Sequence, residues 1–133
     1  SSTRGVFAGG YSPDKDEIDY VTISSTGNAF DFGNLVAGTR TMGGLSDGVR
    51  GLFGSGSLGG GSGVYQDRID KITIASKGDA SNFGNLTIAR DGAGGVASPT
   101  RGVLLLDILL QTELIYWIMS PLQQRVMQKI LEI

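Results

Sequence analysis

The side chains able to do chemistry in this chain are few, and two absences narrow the field. There is no histidine, which removes the commonest general base and the commonest metal ligand. There is no cysteine either, so no disulfide framework exists and the redox compartment stays open. Four carboxylates, Asp14, Asp16, Glu17 and Asp19, fall within six residues and have the character of a weak calcium site. Fifty-one residues on, only Asp67 and Asp70 answer them, and no glycine-spaced calcium loop is present. A solvated acidic loop is the better reading. Asp31 with Asp19 has the residue types of a glycosidase pair, but Asn82 replaces Asp31 in the later copy and nothing sets the separation. Gly54-Ser55-Gly56-Ser57-Leu58-Gly59 matches the dinucleotide fingerprint, yet Gly60 to Gly63 and a strand follow it. With no helix N-terminus to meet a phosphate, it reads as a flexible loop. Asn85-Leu86-Thr87 is a glycosylation sequon by pattern, placed in a strand and treated as chance.

These candidates hang on an internal repeat. Ile18 to Leu35 (I-D-Y-V-T-I-S-S-T-G-N-A-F-D-F-G-N-L) returns as Ile69 to Leu86 (I-D-K-I-T-I-A-S-K-G-D-A-S-N-F-G-N-L), identical at eleven of eighteen positions. Ile18 to Ile23 alternates with period two, so Ile18, Tyr20 and Thr22 face one way and Asp19, Val21 and Ile23 the other. In the copy, Ile69 and Thr73 oppose Ile72 and Ile74. β-branched residues dominate both, as a pleated, half-buried surface favours. Ser24 to Gly27 and Ala75 to Gly78 read as turns. A second strand, Ala29 to Leu35, carries Phe32 and Leu35, matched by Phe83 and Leu86. Gly33 and Gly84 mark a bulge or a close backbone approach.

Arg4-Gly5-Val6-Phe7, Arg50-Gly51-Leu52-Phe53 and Arg101-Gly102-Val103-Leu104 mark three unit starts, and Gly43-Gly44 and Gly94-Gly95 precede the second and third. The recurring arginines read as structural, bonding loop carbonyls. One unit is then a strand, a glycine turn, the hairpin, and a strand around the Gly-Gly pair. Four short strands in about fifty residues is the spacing of kelch-type propeller blades.

The order of features resembles kelch: R-G-V-F ending in Gly9-Gly10, a variable loop, then I-D-Y-V-T-I, a turn and an aromatic. It departs from kelch in placing Phe32 and Phe83 where tryptophan is usual. The wording also resembles tandem repeats in uncharacterised proteins of marine phages and ocean metagenomes. The resemblance covers roughly residues 1–103 and implies a mainly β fold: two kelch-like four-stranded antiparallel repeats, 5–50 and 51–101, forming a partial β-propeller in a 1–102 domain.

The polar loop Tyr11 to Glu17 and its longer, glycine- and serine-rich counterpart Gly54 to Gln66 belong on one rim of such an array, where insertions disturb no packing. Tyr11, Asp14, Asp16, Tyr65 and Asp67, in and beside these loops, are the candidate binding residues for a protein or glycan. No catalytic, cofactor or metal residues are assigned. A net charge of −2 and a pI of about 4.9 offer no basic surface to nucleic acid. Two units leave apolar faces that neighbours would cover, so self-association or membership of a longer array is expected. Function is expected to be structural or adhesive, in a virion-associated setting; the alternatives are a propeller-type carbohydrate-active enzyme and a misread gene product without a selected role.

From Leu104 the composition changes: L-L-L-D-I-L-L-Q-T-E-L-I-Y-W-I-M lacks glycine and matches neither repeat. Asp107 and Glu113 interrupt it, and it is short for a span of about 20 residues, so no membrane crossing is expected. Ser120-Pro121-Leu122-Gln123 reads as a helix start, with Leu122, Val126 and Ile130 on one stripe over 121–132. Residues 103–133 are thus a helical tail, or a repeat in the wrong reading frame. One base inserted after the Val103 codon permits V-F-A-[A/V]-G-Y-S, and the same phase further on permits D-Y-V-T-I-A-T-T-G-N-A-E-D-F-G-D. Twelve of those last sixteen residues match Asp19 to Asn34. The alternative is an evolved helical cap on the array.

Overall fold

The computed structural model describes residues 2–59 and 64–105. The expected helix over 121–132, and the sequence in question from residue 106 onward, lie outside the described residues. Within them the chain is mainly β, with ten strands and no helix. They are β1 (Arg4–Gly10), β2 (Lys15–Thr22), β3 (Phe30–Asn34), β4 (Gly43–Ser46), β5 (Arg50–Gly54), β6 (Ser57–Leu58), β7 (Val64–Thr73), β8 (Ser81–Arg90), β9 (Gly94–Ala97) and β10 (Gly102–Leu105). All pairings are antiparallel, in sheets of three, five and two strands.

The alternating stretches become strands with the expected faces. In the first sheet, β1-β2-β3, Ile18 is fully buried while Ile23 is 58 % exposed. In the second sheet the sides are reversed, Ile72 and Ile74 being buried. The reversal follows from stacking: Ile18, Phe32 and Leu35 of the first sheet meet Ile72 and Ile74 of the second, with Val6, Ala8, Tyr20, Met42, Phe53 and Ala80 around them. Each large apolar side chain buried there contributes about 1.5–3 kcal/mol.

The hairpins carry the expected irregularity. Ile18 pairs with Gly33 and Asp19 with Asp31, so Phe32 is the extra residue of a bulge; Ile69, Gly84, Asp70 and Asn82 repeat this around Phe83. The bulge swings the aromatic ring off the ladder and onto the sheet face.

The Gly-Gly strand is phased differently from its place at the end of a unit. β4 pairs with β5, and β9 with β10, so the complete ladder β4-β5-β7-β8 runs from 43 to 90. The cause is a tight turn at each junction. The Asp47 carboxylate accepts from the amides of Val49 and Arg50 at 2.9 and 2.6 Å, and the Ser98 hydroxyl accepts from Thr100 and Arg101 at 3.4 and 3.1 Å. Such side-chain-to-backbone turns close a hairpin locally. Pro99 therefore sits in a hairpin turn rather than at the end of a blade.

The start of the glycine-serine loop is also better tied than a flexible loop. Ser55 and Ser57 are each 2 % exposed, and the Ser55 hydroxyl donates to the Arg90 carbonyl at 2.8 Å. Ser57 and Arg40 exchange backbone bonds at 3.0 and 3.2 Å.

Candidate functional site

The linker from β3 to β4 folds back across the start of β2, with the Leu35 amide donating to the Asp16 carbonyl and that of Thr39 to the Lys15 carbonyl. This carries Arg40 to the β1–β2 turn. Arg40 donates to the Asp14 carboxylate at 2.9 Å and to the Gly59 carbonyl at 2.7 Å, and its guanidinium lies 4.8 Å from the centre of the Tyr11 ring. One arginine thus joins the variable loops of both units. Asp14 and Arg40 are largely buried there, while Tyr11 stays 65 % exposed as a ring backed by a cation. The second oxygen of Asp14 is buried without a partner among the described residues.

Tyr11 and Asp14 are therefore brought together, and Arg40 is the member that sequence reasoning missed. The other candidates lie elsewhere. Asp16 falls inside β2, which begins earlier than the polar loop suggested, and Tyr65 and Asp67 fall inside β7. Asp67 accepts from the Asn85 side chain at 2.9 Å, and Tyr65 is 50 % exposed opposite Ser57. Asp19 and Asp31 stand directly opposite each other on neighbouring strands, both exposed. No group of three or more acidic residues is arranged to hold a metal ion among the described residues.

The recurring arginines differ. Arg4 donates to the Ile74 carbonyl of the neighbouring sheet at 2.7 Å and lies 4.7 Å from the Tyr20 ring. Lys77, also from the neighbouring unit, takes a second position over Tyr20 at 5.6 Å. Arg50 turns instead to Asp47 at 2.8 Å. Between the sheets, Arg68 and Asp70 form an ion pair at 2.7 Å that grips the 36–39 linker: Asp70 accepts from the Val36 amide at 3.1 Å, and Arg68 reaches Thr39 at 3.2 Å.

No family model matches the chain, and a search of curated proteins finds no relative.

Proposed function

We propose that the chain is a non-enzymatic structural or adhesive repeat module, a stretch of kelch-like, propeller-type array from a phage or other virion-associated protein. Its rim loops are held out to a protein or glycan partner. The observation that carries this reading is Arg40, which fixes the loops of both units into one rim and leaves the Tyr11 ring facing solvent. Exposed aromatic rings present a large, rigid apolar face at low entropic cost, which suits a sugar ring or a peptide side chain. The array component rests on the stacked sheets, whose outer faces expose Phe7, Ile23 and Phe83; apolar faces of this kind attract like neighbours.

The opposed carboxylates Asp19 and Asp31 favour a second reading, a carbohydrate-active enzyme. Asn82 in the matching place and the open surface weigh against it. A glycan array and a host-cell binding assay, run beside a hydrolase panel, separate the two. The module reading expects binding that falls about tenfold in Tyr11→Ala, one rigid anchor being worth more than 1 kcal/mol, and turnover of any glycan would refute it. Gel filtration with light scattering reads the array component: association is expected, and a monodisperse monomer counts against it.

A further inference from the structure

The second sheet presents Phe53, Ile72 and Ile74 to the first sheet, where they meet Ile18, Phe32 and Leu35. On its other face it carries the same three residues one unit later, Ile69, Phe83 and Leu86, and there the cover runs out. Phe83 is 51 % exposed where Phe32 is 2 %. β10 brings Leu104, the counterpart of Phe53, to this face, but among the described residues no strand stands where Ile72 and Ile74 would. What remains is an open groove of about 330 Å³, lined by Leu52, Ile69, Phe83 and Leu86 with Leu104 and Arg50 beside them.

We propose that this groove is a receptor for one β-hairpin of the repeat's own type, seated as the β7–β8 hairpin is seated on the first sheet. Its V-T-I strand would lay Val21- and Ile23-type residues over Ile69, Phe83 and Leu86. The inference rests on the array reading above and names what the array recognises.

Three features beyond the apolar cover are in place. The existing seam is closed by backbone bonds from Gly78 and Ala80 to the carbonyls of Phe32 and Asn34, at 2.8 and 2.7 Å, with Gly33 pressed against the Gly78 carbonyl. Over Gly84, the counterpart of Gly33, no atom of the described residues lies within 4 Å of where a Cβ would stand, which leaves room among them for the same turn. Arg50 lines the groove at the position that matches Arg4, which reaches the Ile74 carbonyl across the first seam, and its guanidinium is held there by Asp47 at 2.8 Å. The third feature is a strand edge: β1 and β5 each have a following strand on one side, whereas β10 pairs only with β9 among the described residues. An unpaired edge beside an apolar face is a template for strand addition.

The occupant is a hairpin rather than a whole copy, because β9 and β10 already hold the places of β4 and β5. A complete first sheet would bring its β1 onto β10. Charge selects among hairpins as well. In the first seam Lys77 stacks on Tyr20, but Lys71 stands in the place of Tyr20 at the groove, so a turn with Thr26 fits and one with Lys77 meets a like charge.

The test uses the full chain and a fluorescein-labelled synthetic peptide spanning 15–35, read by anisotropy. Saturable one-to-one binding is expected, weakened at least about tenfold by Phe83→Asp, which sets a charge in the apolar seat, and equally by Val21→Asp in the peptide. A peptide spanning 66–86 should bind more weakly. Circular dichroism establishes that Phe83→Asp, at an exposed position, is folded. Absence of saturable binding, or binding indifferent to Phe83→Asp, overturns the proposal. So does a shift in Trp117 emission on Phe83→Asp with no peptide binding, which would assign the groove to residues 106–133 of the same chain. A dimer of the full chain that needs Phe83 and resists peptide competition would assign it to an intact second copy, again overturning the proposal. Glycan binding at Tyr11 is measured independently, so either arm can fail alone.

Discussion

The amide of Gly78 donates to the carbonyl of Phe32 at 2.8 Å, across the boundary between the two repeat units. Backbone meets backbone here because Gly33 carries no side chain; a Cβ on it would strike the Gly78 carbonyl and the Asp79 amide. Gly84 has nearly the same dihedral, φ +157° against +148°, but nothing above it among the described residues. Both positions disfavour an L side chain, so the comparison isolates the seam. Gly33→Ala should destabilise the protein by about 1–3 kcal/mol more than Gly84→Ala, in the range of overpacked interiors. Urea unfolding of the two variants measures the difference, and equal losses would mean the seam carries no load.

The pair Phe32 and Phe83 makes the same comparison for apolar cover. Phe32→Ala empties the centre of the core and should cost about 3–5 kcal/mol. Phe83→Ala, at a half-exposed counterpart, should stay below about 1 kcal/mol. Thermal unfolding of both variants checks this, with the larger drop in Tm expected for Phe32→Ala.

What could be seen in advance was the strand content and the faces, because β-branched residues at period two in Ile18–Ile23 and Asp70–Ile74 leave one buried side for each copy. The bulges at Phe32 and Phe83 were legible through Gly33 and Gly84. The phase of the Gly-Gly strand was not, since Asp47 and Ser98 act through local turns whose hydrogen bonds no repeat alignment displays. The signal existed: an acidic or hydroxyl residue three positions before each Arg-Gly start. Arg40 escaped for a related reason. Asp91 stands at its matching position, so recurrence could not flag it. Asp16, Tyr65 and Asp67 were placed with the loops because polar composition does not distinguish a strand end from a turn.

Arg68 and Asp70 hold the linker between units from a nearly dry position, with side chains 15 % and 2 % exposed. Arg68→Ala strands the Asp70 carboxylate beside the apolar seam and should cost about 3–5 kcal/mol. Glu17 occupies the corresponding place in the first unit, where its pair with Lys15 is exposed at 3.6 Å. Glu17→Ala should change stability by less than about 0.5 kcal/mol. Chemical denaturation distinguishes the two, and a near-neutral Arg68→Ala would show that Val36 and the linker are held without the ion pair.

Asp47 sets the pH response of the β4–β5 turn. The amides of Arg50 and Val49 donate to its carboxylate, the Arg50 guanidinium adds a third contact, and together they lower its pKa from 3.8 to about 2. Because the folded value lies below the unfolded one, the turn's contribution is complete above about pH 4 and disappears as the pH falls through about 2. The carboxyl carbon of Asp47 followed by NMR should titrate near 2, and a midpoint close to 3.8 would dismiss the turn as a charge trap. Asp47→Asn keeps an acceptor for both amides but has no charge to lose. Its unfolding midpoint should therefore vary less than that of the wild type between about pH 4 and pH 2, with salt narrowing the gap because the Arg50 side chain that pairs with Asp47 is exposed.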